Sequence, residues 1–285
     1  MRYTLKQMQS EFPNDDVCLQ LIFDSRYGAL KACPKCGVVN VKFYRVKKRM
    51  AYECKECRHQ IYPLAGTIFE KSTTPLTDWF YAMYLFSVSK NGVSAKEIER
   101  HVGVSYKTAH RMAKLIRVAM NESGKLGFLG APVQADEVYI GGRRKQSEKH
   151  DNKTPLLAAL EVGGHVRTKV VSTASSATVL PFLYETLYEG TTLHTDESKI
   201  YHNKELEQRF NHASVRHIAQ EWSRDGVTTN HVESFFSQFK NSLRGTYHAV
   251  SPRYLNFYAS EFTFRYNHRT EPIFALLLAK AAKQL

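Results

Sequence analysis

The chain has 285 residues, 43% hydrophobic and 24% charged, with a formal net charge of +13. That length holds about two domains plus small modules, and that composition excludes a disordered chain. The longest apolar run, Ile273–Ala279, falls short of the roughly 18–20 residues that cross a bilayer. Met1-Arg-Tyr-Thr-Leu-Lys6 lacks the apolar core of a signal peptide. The expectation is a cytoplasmic protein whose five cysteines are reduced. The basic excess is lopsided: residues 1–125 carry 21 Lys and Arg against 11 Asp and Glu, and residues 126–285 carry 19 against 16. Such an excess favours a polyanion partner, most often nucleic acid.

Residues 4–30 read as one or two short helices, with apolar positions at Leu5, Met8 and Phe12, then Val17, Leu19, Leu21, Ile22 and Phe23. Asp15 or Asp16 is the expected cap of the second. Cys18 lies inside this apolar pattern and reads as a buried thiol.

Cys33-Pro-Lys-Cys36 and Cys54-Lys-Glu-Cys57 are separated by 17 residues, which is zinc-ribbon spacing. Each pair makes a tight knuckle that points two thiolates at one place. Four thiolates around tetrahedral zinc form a closed, structural site, so residues 31–62 are expected to bind about one Zn²⁺. The intervening Val38–Tyr52 reads as a hairpin carrying Lys42, Arg45, Lys47, Lys48 and Arg49, either a DNA-contacting knob or a solvated loop.

Residues 75–120 read as three helices. Pro75 starts the first, Ser94-Ala-Lys-Glu97 is a capping box for the second, and Ser105 caps the third after a turn at Gly103. In the third helix Ala109, Met112, Ala113 and Ile116 face one way, and Lys107, His110, Arg111 and Lys114 the other. Helix, short turn and a second helix with a basic outer face is the helix-turn-helix arrangement, whose outer face enters a major groove.

Residues 121–131 are glycine-rich and read as a linker. The texture then turns to strands: Val133–Ile140, ending at Gly141-Gly142 before a basic tip Arg143-Arg-Lys145; a hairpin of Pro155–Val162 and Val166–Thr173; Thr191–Thr195 ending at Asp196; and Ser214–Ile218. Val179–Tyr188 has helical spacing. Strands first, then strand and helix alternating, give a mixed sheet with helices on it, α/β in class.

The stretch Thr229–Arg244 reads as a helix with two adjoining faces. Val232, Phe235, Phe236, Phe239 and Leu243 form an apolar stripe, and Glu233, Ser237, Lys240 and Arg244 stack beside it. A stripe of this kind is ordinarily a solvated face. Its company upstream points to chemistry: Asp136 lies within the first strand of this half and Asp196 ends a later one. Two aspartates and a glutamate can hold two divalent ions for phosphoryl transfer, with Lys240 on a DNA phosphate. Glu137 and Glu197 are adjacent competitors, and strand alternation lets only one of Asp136 and Glu137 point inward.

Gln134-Ala-Asp-Glu-Val-Tyr-Ile-Gly-Gly142 resembles the first-aspartate strand of bacterial DDE-type insertion-sequence transposases with an N-terminal zinc ribbon, the ISXO-like family. His194-Thr-Asp-Glu-Ser198 is similar to their second-aspartate motif. Asn230–Lys240, Leu243–His248 and Glu261–Arg269 resemble the acidic-helix block and its C-terminal signature. The resemblance runs from Cys33 to about Arg269. It implies a ribonuclease-H-like catalytic domain at 130–275, preceded by an N-terminal helical segment at 1–30, the ribbon and the helix-turn-helix segment. It also implies catalytic Asp136, Asp196, Glu233 and Lys240, with the three acids holding Mg²⁺ or Mn²⁺, and so favours Asp136 over Glu137. The implied activity is binding of the element's terminal inverted repeats, metal-dependent cleavage and strand transfer. Lys107, His110, Arg111, Lys114 and Arg244 would contact double-stranded DNA, and the chain would act as a homo-oligomer on DNA at the nucleoid. The alternative is a non-catalytic regulator that uses only the ribbon and helix-turn-helix.

Overall fold

A computed structural model of the chain describes residues 3–128, 130–141, 153–215 and 226–283. The chain crosses between two units: Met1–Met120 together with Thr270–Leu285, and Asn121–Arg269.

In the first unit, local caps set the helix boundaries. Helix α1 (Leu5–Glu11) opens on a capping box between Thr4 and Gln7. Helix α2 (Asp15–Tyr27) is capped by Asn14, whose side chain accepts from Val17 N. Asp15 and Asp16 instead occupy its first turn, where carboxylates favour the exposed amides. Asp15 has a second task. Its Oδ1 accepts from the backbone N and the hydroxyl of Thr77 at 2.9 and 3.0 Å. It thereby caps α3 (Leu76–Val88), whose own N-cap, Pro75, has no side chain able to do so.

Strands β1 (Phe43–Arg45), β2 (Tyr52–Cys54) and β3 (Gln60–Ile61) form an antiparallel sheet in that order. The expected hairpin is therefore present, with a third strand added. Tyr52 stacks on Phe23 of α2 with ring centroids 4.1 Å apart, and its hydroxyl donates to Gln20.

Helix α3 is the centre of this unit. Trp79, Phe80, Met83 and Phe86 are wholly buried. Helix α4 (Ala95–Val102) has the Ser94/Glu97 capping box and ends at Gly103, whose φ of 80° is the left-handed conformation a glycine takes without strain. Helix α5 (Tyr106–Ala119) is capped by Ser105 and buries Ala109, Met112, Ala113 and Ile116. Arg117 is buried too, with its guanidinium on the Val93 carbonyl and over the Phe86 ring.

The second unit holds a five-stranded sheet in the order β6-β5-β4-β7-β8. Strands β4 (Val133–Ile140), β5 (Thr154–Glu161) and β6 (Val166–Val170) run antiparallel to one another in turn, while β7 (Thr192–Asp196) and β8 (Asn211–Val215) run parallel to β4. The expected last strand, Ser214–Ile218, thus begins earlier, and its residues 216–218 lie outside the described residues, as do Arg143–Lys145 and His217.

Both sheet faces are covered, so both register sets of β4 are apolar where they can be. Val133 and Ala135 pack with α6 (Ser176–Thr186), the 3-10 turn Lys199–Tyr201 and α7 (Lys204–Arg209). Val138 packs with Leu156, Ala158 and Leu160 against α8 (Asn230–Ser242) and α9 (Pro252–Asn267).

The motif that closes α9 is structural in this fold. Asn267 Oδ1 accepts from Val166 N at 2.7 Å, and its Nδ2 donates to Val166 O at 3.1 Å and to Glu122 at 3.0 Å. One side-chain amide thus stands in for the next strand at the sheet edge. Arg269 donates to the carbonyls of Gly163 and Gly164 in the β5–β6 turn. The last helix, α10 (Ile273–Ala281), belongs to the first unit, where Phe274 stacks on Tyr3 at 5.1 Å and meets Phe12 and Tyr84 edge-on.

Candidate active site and metal centre

Cys33 Sγ lies 3.7 Å from Cys57 Sγ, and Cys36 Sγ lies 3.9 Å from Cys54 Sγ. All four sulfurs fall within 4.8 Å of one another, and none is in a disulfide. A tetrahedral ion with zinc–sulfur bonds of ~2.3 Å sets its sulfurs about 3.8 Å apart, so the donor set and its spacing fit zinc. The turns after each first cysteine make the knuckles: Gly37 N donates to the Cys33 carbonyl, and Arg58 N to that of Cys54. The fifth thiol, Cys18, is fully buried, and burial pushes it up to about 12.

In the second unit, β4 and β7 are hydrogen-bonded only at Val133–Leu193 and Gln134–His194. Asp136 lies two residues past this pairing on β4, and Asp196 two residues past it on β7. Strand alternation puts both on the sheet face that carries α8. Crevices beyond the carboxyl ends of parallel strands are where open α/β sheets take ligands.

Burial pushes the Asp136 carboxyl up to about 8, and the negative charges of Glu137, Asp196 and Glu233 push the same way. The amide of Glu137, donating to Asp136 Oδ1 at 2.8 Å, opposes them. Asp196 Oδ1 accepts from Ser198 N at 3.0 Å. Glu233, in the first turn of α8, accepts from the hydroxyl of buried Thr229 at 2.7 Å. The three acids thus act on a common region. They do not form a tight ligand cluster: among the described residues, only the cysteines bring three or more ligand atoms within 4.8 Å. An all-carboxylate set is one that hard cations such as Mg²⁺ or Mn²⁺ accept. An aspartate driven toward its neutral form by burial, and further by the charges of neighbouring acids, is a site that positive charge would relieve.

Glu137 is on the other face. Its Oε2 accepts from the buried Tyr201 hydroxyl at 3.0 Å, and burial raises its pKa. Asn230 is exposed at the start of α8.

Lys240 and Arg244 line one cavity of about 290 Å³, with Tyr139, Leu243, His248 and Val250 among its walls. The expected continuous helix to Arg244 gives way to a π-helical turn, Leu243–Tyr247. Gly245 is a weak helix former there, and Tyr247 is held by Glu261 and packed on Tyr258. His248, with φ 58°, follows in a conformation that non-glycine residues seldom adopt.

In the first unit Lys107, Arg111 and Lys114 are exposed on α5, and His110 is half-buried beside them. Arg111 also donates to the Glu70 carbonyl at 3.1 Å.

Sequence reasoning quoted Gln134 and Thr229 without giving either a role. Both are buried and both touch the start of the acidic helix: Gln134 Oε1 accepts from the amides of His231 and Val232 at 2.9 and 3.2 Å. The available signal was a glutamine inside an apolar strand, two residues before an aspartate and so on the same face.

Residues 128–267 match the family described as the ISXO2-like transposase domain, and residues 13–60 match the transposase zinc-ribbon domain. The chain is 26% identical over 254 residues to an uncharacterized protein in transposable element ISH50 of Halobacterium salinarum, covering 82% of this chain and 84% of the relative. No solved structure matches the chain.

Proposed function

We propose that this chain, which belongs to the insertion-sequence transposases with an N-terminal zinc ribbon, binds the terminal inverted repeats of its own element and cuts and joins DNA at a site built from Asp136, Asp196 and Glu233. The observation that carries this reading is the Asp136 carboxyl, raised to about 8 by burial within β4 and by the charges of Asp196, at the end of β7, and Glu233, in the first turn of α8. A sheet of three antiparallel strands continued by two parallel ones, with helices on both faces, supports reading this unit as ribonuclease-H-like.

Bound Mg²⁺ or Mn²⁺ would supply activation of a water or 3′-hydroxyl and stabilisation of the leaving oxygen. The chain's own residues do the rest. Asp136, Asp196 and Glu233 hold the cations, the last fixed by Thr229. Lys240 and Arg244, on the wall of the neighbouring cavity, hold backbone phosphates near the scissile bond. In the first unit, α4, the Gly103 turn and α5 serve as a helix-turn-helix, with Lys107, His110, Arg111 and Lys114 toward the groove. The four cysteines hold one structural zinc that builds the ribbon. Cutting two ends together calls for self-association on DNA. Among the described residues no helix is long and apolar enough to cross a membrane, and the protein would work on the nucleoid in the cytoplasm.

The test uses labelled fragments of the DNA that flanks this gene, a target plasmid, Mg²⁺ or EDTA, and a parallel Glu233→Gln protein. Metal-dependent cuts and joined products that vanish in the variant are expected. Binding without cutting under Mg²⁺ or Mn²⁺ would overturn the reading in favour of a DNA-binding regulator.

A further inference from the structure

Helix α8 lacks a cap of its own. Its N-cap residue, Thr229, has φ −112° and ψ 6° and makes no side-chain cap. Its hydroxyl is already given to Glu233. The first helical amide, Asn230 N, donates to the Thr228 hydroxyl at 3.2 Å. The next two, His231 and Val232, would face the interior unpaired. Gln134 reaches across from β4 and accepts both.

The neighbouring strand repeats the device. His194 stands opposite Gln134 in the β4–β7 register, and the Thr228 backbone, on the segment that leads into α8, acts on its ring. Each of these residues sits two positions before an aspartate, on the same strand face as that aspartate. Each holds the entry to the helix that carries the glutamate.

A second observation marks the pair. Gln134 is wholly buried and His194 nearly so, yet among the described residues Gln134 Nε2 and His194 Nδ1 have no hydrogen-bond partner. In the tautomer that carries its proton on Nε2, the histidine offers an acceptor at Nδ1, and the glutamine amide offers a donor. Two orphaned atoms of opposite character, on register partners, suit one hydrogen bond or one bridging water.

We propose that Gln134 is a positioning residue of the active site, and His194 its counterpart: together they latch the start of α8 to the two aspartate strands and so set the separation of Glu233 from Asp136 and Asp196. The inference rests on the transposase reading for its purpose but not for its geometry. The latch converts two strands and a helix, joined by long connections, into one rigid frame for three carboxylates.

The test compares Gln134→Met, which keeps length and loses the acceptor, with Gln134→Glu, which keeps an acceptor for the two amides. Hydrogen exchange of the full chain without metal is read first. Gln134→Met should speed exchange at His231 and Val232 by roughly tenfold, the effect of a lost cap, and leave α9 and the first unit unchanged; Gln134→Glu should restore protection. Thermal stabilisation by Mn²⁺ alone should then need several-fold more metal in Gln134→Met. In cleavage assays kcat should fall with the KM for DNA unchanged, and Gln134→Glu should recover part of it. Unchanged exchange at His231 and Val232 would overturn the latch. So would a loss of protection spread through the whole second unit, which marks plain core packing. Loosened amides and weakened Mn²⁺ binding in a protein that cuts no DNA would uphold the latch and sink the transposase reading instead.

Discussion

Asp136 and Glu137 stand on opposite faces of one strand: the first toward Asp196 and Glu233, the second under the Tyr201 hydroxyl. On the proposed function, chemistry and stability separate between these adjacent carboxylates. Asp136→Asn should reduce cleavage on the order of 10²–10³ or more, as expected for removing a group that stabilises the transition state, and leave end binding intact. Glu137→Gln should retain most of the turnover and show mainly a shift in melting temperature. Cleavage and gel-shift assays on the same preparations decide the matter.

The raised Asp136 pKa carries a sign that can be read in stability. In the folded, metal-free protein the carboxyl keeps its proton up to about 8, whereas in the unfolded chain it loses it near ~3.9. Its contribution is therefore complete below about 3.9 and is lost as pH rises through about 8. Melting in EDTA should show Asp136→Asn overtaking the wild type as pH increases from 5 to 9. Added Mn²⁺ should reverse the order, because the deprotonated carboxylate is then the stabilised form.

Elemental analysis should give about one zinc per chain. After chelation, Cys33, Cys36, Cys54 and Cys57 should react with a thiol probe at pH 8. Cys18, wholly buried, should stay unmodified until the chain is denatured, whereas Cys36 is exposed. Mass spectrometry of the labelled peptides counts them.

Asn267→Ala removes hydrogen bonds to both backbone groups of Val166 and to Glu122. The Val166 amide loses its side-chain acceptor, whereas the Val166 carbonyl keeps Arg167 and Glu122 keeps Arg167 and His268, so the second unit should lose roughly 1–3 kcal/mol. The concentration of Mn²⁺ needed at the acids should not change, which distinguishes a sheet clamp from a residue of the site. Denaturant melts with and without metal read both quantities.

Lys107→Ala should weaken binding to the element's ends and to random duplex alike, and should lower the slope of log affinity against log salt by about one, as for a lost phosphate contact. Arg111→Ala is expected to act more on end preference if it reads bases. Its hydrogen bond to the Glu70 carbonyl must be given up for that, so part of its loss will be local. Fluorescence anisotropy across salt concentrations separates the two.

What was legible in the sequence was local. The Ser94/Glu97 box, the Ser105 cap and Gly103 act within one turn, and they place α4 and α5 within a residue or so. The two Cys pairs are legible for the same reason: each knuckle is four residues long. Three matters that depend on distant partners were not legible. Asp15 looked like the cap of its own helix and caps α3 instead, through Thr77, 62 residues away. Arg244 followed the helical phase in sequence, but a π-helical turn intervenes where Tyr247 is held by Glu261. Gln134 was visible only as a letter in a motif, because its partners are the amides of residues 97 and 98 positions further on.

The placement of α10 has a consequence for synthesis. Phe274 is a wall of the same aromatic cluster as Tyr3, Phe12 and Tyr84, so the first unit cannot close until the segment beyond Arg269 has been made. Until α10 emerges, its aromatic surface stays open while the intervening unit can already close. A message cut short before Ile273 would therefore yield a chain whose second unit is whole and whose first unit lacks one wall of its aromatic cluster, which leaves Tyr3, Phe12 and Tyr84 open to aggregation and proteolysis.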